Sequence, residues 1–104
     1  MNTTPSATLQ LATPSTVAPF AHIGLDVSKD TLDGCLLIEA KRHEKQFTND
    51  AVGHRQLLRW AHALASASTC HFCLEATGPY SQTVALFLVE KEQLVSVINP
   101  ARIR

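Results

Sequence analysis

Two carboxylates, Asp26 and Glu75, each close a short apolar run of this 104-residue chain. Phe20-Ala21-His22-Ile23-Gly24-Leu25 leads into Asp26-Val27-Ser28-Lys29, and Cys70-His71-Phe72-Cys73-Leu74 leads into Glu75-Ala76-Thr77-Gly78-Pro79. Short apolar runs bounded by turn residues mark buried strands. A carboxylate at the exit of such a strand sits on the carboxyl rim of the sheet, where open α/β sheets collect ligand and catalytic sites. Two rim carboxylates suit a hard divalent cation, which prefers oxygen donors. The competing reading is a pair of solvated acids after ordinary strands.

Other side chains that could do chemistry give weaker signals. Thr77, Gly78 and Ser81 sit where a helix N-terminus can offer amides to a phosphate, although a plain helix cap and turn is the commoner explanation. Lys29 follows Asp26 closely enough to meet a phosphate, or else is a solvated turn lysine. Lys41, Arg42, His43 and Lys45 form the densest basic cluster. They read as a solvated hairpin tip, with nucleic-acid contact by Lys41 and Arg42 as the alternative. Cys70 and Cys73 make a C-x-x-C, but residues three apart on a strand face opposite ways and no second ligand pair completes a zinc site. The five histidines show no i, i+4 spacing that would suggest a metal.

The elements that must position these residues follow from local pattern. Strands are expected over Phe20 to Val27, Leu32 to Glu39, Glu44 to Thr48, Cys70 to Glu75 and Leu94 to Ile98. Asn49 or Asp50 caps a helix to about Leu64, with Leu57, Trp60, Ala61 and Leu64 on its apolar stripe. Gly78-Pro79 opens a second helix, with Tyr80, Val84, Phe87 and Leu88 inward. Asn99-Pro100 starts a third. The resulting order, β-β-β-α-β-α-β, predicts an α/β fold with a mixed five-stranded sheet whose later strands pair in parallel across helical crossovers.

Composition limits what the chain can be. At 104 residues it is one small domain, with 45% apolar residues and no net charge. A neutral chain lacks the global basic footprint common among nucleic-acid binders, so phosphate contacts would come from local patches or another domain. Residues 1–19 are rich in Thr, Pro, Ser and Ala, which predicts a disordered leader before a domain over residues 20–104. No apolar stretch is long enough to span a membrane. Three cysteines without a secretory signal point to free thiols and a cytoplasmic location.

Three blocks carry a family resemblance. Ile23-Gly24-Leu25-Asp26-Val27-Ser28-Lys29-Asp30, Leu74-Glu75-Ala76-Thr77-Gly78-Pro79-Tyr80-Ser81 and Val95-Ser96-Val97-Ile98-Asn99-Pro100-Ala101-Arg102, in this order and spacing, closely resemble signature blocks of the DEDD-type insertion-sequence transposases. The resemblance runs from about Ile23 to Arg104. It implies a ribonuclease-H-like, RuvC-like fold, incomplete at the C-terminus, in which the fourth strand lies beside the first. It also implies metal-dependent DNA strand cleavage and transfer in the full-length family, with Mg²⁺ or Mn²⁺ as cofactor. The family's four acidic ligands would begin with Asp26, bridging two ions, and Glu75, holding one. The other two acids, and a C-terminal transposase domain, lie beyond Arg104 in that pattern. The fragment alone is therefore expected to bind metal weakly, to lack activity and to self-associate through an uncovered sheet face. Insertion-sequence ends, target DNA and a guide RNA are the partners the resemblance implies. Two alternatives stand beside it. One is a non-catalytic remnant or binding module. The other is an actin-like ATP-binding domain, which shares the apolar-Gly-apolar-Asp strand but needs glycine in the phosphate turn where this chain has Val27-Ser28-Lys29-Asp30.

Overall fold

Strand β1 (Phe20–Val27) turns through Ser28–Asp30 into β2 (Thr31–Ile38), and β2 turns through Glu39-Ala40 into β3 (Lys41–Thr48). Helix α1 (Ala51–Ala65) then crosses to β4 (Thr69–Glu75), and α2 (Tyr80–Glu90) crosses to β5 (Leu94–Ile98). The computed structural model describes residues 20–66, 68–76 and 78–99. The expected leader, Thr77 and the expected third helix from Pro100 lie outside the described residues. The sheet order is β3-β2-β1-β4-β5, with the first three strands antiparallel and β4 and β5 added in parallel. This is a mixed α/β sheet in the expected order, compatible with a ribonuclease-H-like fold.

One face of the sheet carries the core. Alternation along β1 sends Ala21, Ile23 and Leu25 inward, and in-register pairing aligns them with Cys70, Phe72 and Leu74 of β4. Leu32 and Leu36 of β2 and Phe47 of β3 extend that layer. Both helices pack on it, α1 through Leu57, Ala61 and Ala65 and α2 through Val84 and Leu88. No described helix lies on the other face, where Phe20, Leu37 and Leu94 are 44%, 48% and 49% exposed.

The structure corrects two local expectations. The basic cluster is not a hairpin tip: Lys41, Arg42 and His43 are strand residues paired with Ile38, Leu37 and Leu36. The tip is Glu39-Ala40, with φ of 50° and 67°. Two successive positive φ values match the twist of a two-residue hairpin loop, usually signalled by Asn-Gly, and neither residue here carries that signal. The helical stripes are also rotated. In α1 the buried set is Gly53, His54, Leu57, Ala61 and Ala65, with Trp60 and Leu64 at the margin. In α2, Ser81 is buried and Tyr80 is exposed.

The start of α1 shows why the stripe moved. Asp50 caps it by accepting from the Gly53 amide at 2.8 Å and from Thr48 Oγ1 at 2.8 Å. Those bonds hold the carboxyl of Asp50 below its usual range, the Gly53 amide contributing most. The cap draws the first turn against the end of β3, so a Cβ at Gly53 would collide with the Thr48 carbonyl. We expect Gly53→Ala to cost about 3 kcal/mol, the upper range for forced overpacking, read as a lower urea midpoint. His54 is 5% exposed, and burial pushes its imidazole pKa below 6.5 despite the nearby Asp50 charge. The unfolded chain then takes up a proton that the fold excludes, so stability should fall as pH drops below about 6.5. Unfolding midpoints against pH for the wild type and His54→Gln test this, the variant losing that part of the slope.

Candidate functional site

Asp26 and Glu75 leave their strands at the same end of the sheet. The parallel register pairing Leu25 with Leu74 brings the next residues, Asp26 and Glu75, level on neighbouring strands. Leu25 and Leu74 are buried, so alternation turns both acids to the opposite face, which no described helix covers and where both are exposed. They line one cleft of about 730 Å³.

The rest of that cleft is built from the same face. Gly24 forms its floor, and a Cβ there would meet nothing within 4 Å. Cys35 and Cys73 flank Gly24 in register, while Arg42, Glu44 and Gln46 line the β3 side and Ile98 the β5 side. Asp33 is the residue that sequence reasoning missed. It is the cross-strand partner of Asp26, and its Oδ1 accepts from Gln46 Nε2 at 2.9 Å. The tight turn was a sufficient signal: with Ser28 closing onto Thr31, counting back pairs 27 with 32 and 26 with 33.

The remaining sequence-selected residues separate. Arg42 lines the cleft but is paired with Glu44, Nε to Oε2 at 2.6 Å, a bond that raises its already high pKa. Lys41 lies on β3 outside the cleft lining, in register with Ile38. Lys29 is exposed on the β1–β2 turn, also outside the lining. Ser81 is buried, and its hydroxyl donates to the Gly78 carbonyl at 3.2 Å within the turn that Gly78, at φ 70°, opens. Thr77 lies outside the described residues. The C-x-x-C divides as its spacing requires: Cys70 is buried on the helical face, where desolvation raises its thiol pKa, and Cys73 faces the cleft.

Four carboxylates (Asp26, Asp33, Glu44, Glu75) line the cleft against two bases, Arg42 and Lys45. Among the described residues no three or more His, Cys, Asp or Glu side chains close on a common metal position. Asp26 and Glu75 offer exposed carboxylate oxygens on a wet rim. That donor chemistry fits a hard cation such as Mg²⁺, which binds through one or two carboxylates and keeps several waters.

The chain matches the model of a transposase family, the DEDD transposases of the IS110 type, over residues 23–104. It is 34% identical over 80 residues to the pilin gene-inverting proteins of Moraxella bovis and Moraxella lacunata. Those stretches cover 76% of this chain and 25% of each relative, so the chain spans about a quarter of their length. A match over most of the chain sets aside the actin-like alternative: the chain belongs to the DEDD transposase family of the IS110 type.

Proposed function

We propose that this domain supplies the first two acids of a metal-dependent DNA cleavage and strand-transfer site. The observation that carries this reading is the shared cleft of Asp26 and Glu75 at the ends of adjacent parallel strands. Electrostatics supports it. A cleft with four acids and two bases repels a phosphodiester backbone, so a cation between them is what makes DNA approach favourable. Asp26 and Glu75 would hold Mg²⁺ or Mn²⁺. Such an ion supplies an activated water or hydroxyl and relief of charge on the leaving oxygen. The chain's own contribution is to fix two carboxylates on a rigid rim and to keep the floor at Gly24 clear for a close approach.

DNA is the partner this reading requires, at insertion-sequence ends and target, with a guide RNA as a further partner by family likeness. Lys29, Lys41, Thr77 and Ser81 are secondary candidates for nucleic-acid contact, with Arg42 best placed because it lines the cleft. Further acids of the site, and cover for the open face, would come from segments of the kind that the longer relatives possess. In their absence that face would favour self-association. A cytoplasmic location accords with this role. No helix among the described residues is long and apolar enough to cross a membrane.

Two measurements test the proposal. Titration of the 104-residue chain with Mn²⁺ should show weak binding that Asp26→Asn or Glu75→Gln reduces about tenfold or more. Tight binding indifferent to both variants would place the ligands elsewhere. The 104-residue chain should not cleave DNA with Mg²⁺, whereas a longer form carrying the downstream acids and C-terminal domain should. Loss of cleavage in the Asp26→Asn form of that longer protein completes the expectation, and its persistence would refute it.

A further inference from the structure

We propose that Asn49 is a positioning residue that ties the loop leaving Asp26 to the first residue of the helix that follows Glu75, and so sets the spacing of the acids. This rests on the reading of those acids as one site. Asn49 lies between β3 and α1, on neither strand that bears an acid, yet its side chain reaches both exits. Its Nδ2 donates to the Ser28 carbonyl at 2.9 Å, two residues past Asp26. The same Nδ2 donates to the Tyr80 carbonyl at 3.0 Å, five residues past Glu75 at the start of α2. Its backbone amide donates to the Asp30 carbonyl at 2.8 Å, gripping the first loop twice.

The arrangement has one consistent orientation. Two backbone carbonyls only accept, so the amide nitrogen must face them and Oδ1 must face His54. His54 Nε2 lies 2.8 Å from that Oδ1 and therefore carries its proton. The imidazole is in turn held by burial and by the Phe87 ring, 5.5 Å away between centroids. Asn49 is thus braced from behind by a core residue and uses its amide hydrogens on the β1–β2 turn and the start of α2. The parallel register joining β1 and β4 ends at Leu25 and Leu74, short of the acids. Beyond that point Asn49 hydrogen-bonds to both sides.

Asn49→Asp separates this role from bulk stability, because it keeps the shape and the acceptor for His54 but loses both donors. Amide hydrogen exchange of the 104-residue chain should rise about tenfold at Ser28 and equally at Gln82, whose amides donate to the Thr31 and Pro79 carbonyls beside the two tethered points. Ile23 and Phe72 should keep their protection as the control for folding. Mn²⁺ affinity should fall several-fold with Asp26 and Glu75 unchanged. If Asn49→Asp fails to fold, Asn49→Ser, too short to reach either carbonyl, gives the same readouts. Wild-type exchange at either amide would overturn the clamp. Faster exchange at both with wild-type Mn²⁺ affinity, while Asp26→Asn abolishes binding, would overturn its role in spacing the acids. Faster exchange at both with Mn²⁺ binding indifferent to Asp26→Asn would instead overturn the reading of the site and the spacing role with it, leaving only the tether.

Discussion

The alternation of β1 governs everything else in this domain. Its odd-numbered residues Ala21, Ile23 and Leu25 enter the core, and its even-numbered residues Gly24 and Asp26 face the cleft. Because β1 is the central strand, that division propagates to both neighbours through register. The antiparallel partner contributes Leu32 and Leu36 to the core and Asp33 and Cys35 to the cleft, and the parallel partner contributes Phe72 and Leu74 against Cys73 and Glu75. A slip of one residue in β1 would send Asp26 inward and Ile23 to water. The core and the candidate site are therefore specified by the same hydrogen-bond ladder.

Much of this was legible in the residues. The limits of β1 and β5 coincide with those read from the apolar runs, because turn residues bound both sharply. The pairing of Asp26 with Glu75 was also accessible, once resemblance to a known family supplied the neighbour relation between strands. What escaped was set by tertiary contact. Periodicity alone cannot distinguish the inner stripe of α1 from one turned by a residue. Gly53 and His54 are buried there because the Asp50 cap fixes where the helix meets β3. The Glu39-Ala40 hairpin lacked a sequence signal altogether, since its backbone shape is imposed by the strands it joins. Asp33 is a different case: its position followed from arithmetic on a turn that the sequence did mark.

The site and its supports differ in how they are held. Core residues are fixed by packing on one face, whereas the acids stand at the wet end of the sheet on the side that no described helix covers. Order there depends on polar contacts made across elements, such as Gln46 on Asp33 and Asn49 on the β1–β2 turn and the start of α2. Such contacts are individually worth about 1 kcal/mol. They define geometry more than they define the fold.

The two borders of the sheet are chemically unlike each other. β3 presents Lys41, Arg42, Glu44 and Lys45, the kind of charged border that discourages a further strand from joining. β5 presents Leu94, Val95, Val97 and Ile98 with no charge within the strand, and among the described residues no strand pairs with its outer edge. The sheet is consequently asymmetric: among the described strands, β5 is the border without charges to discourage a further strand. A sixth strand, whether from the same polypeptide or another, would find its template beside β5, and from there it would lengthen the rim that already carries Asp33, Asp26 and Glu75.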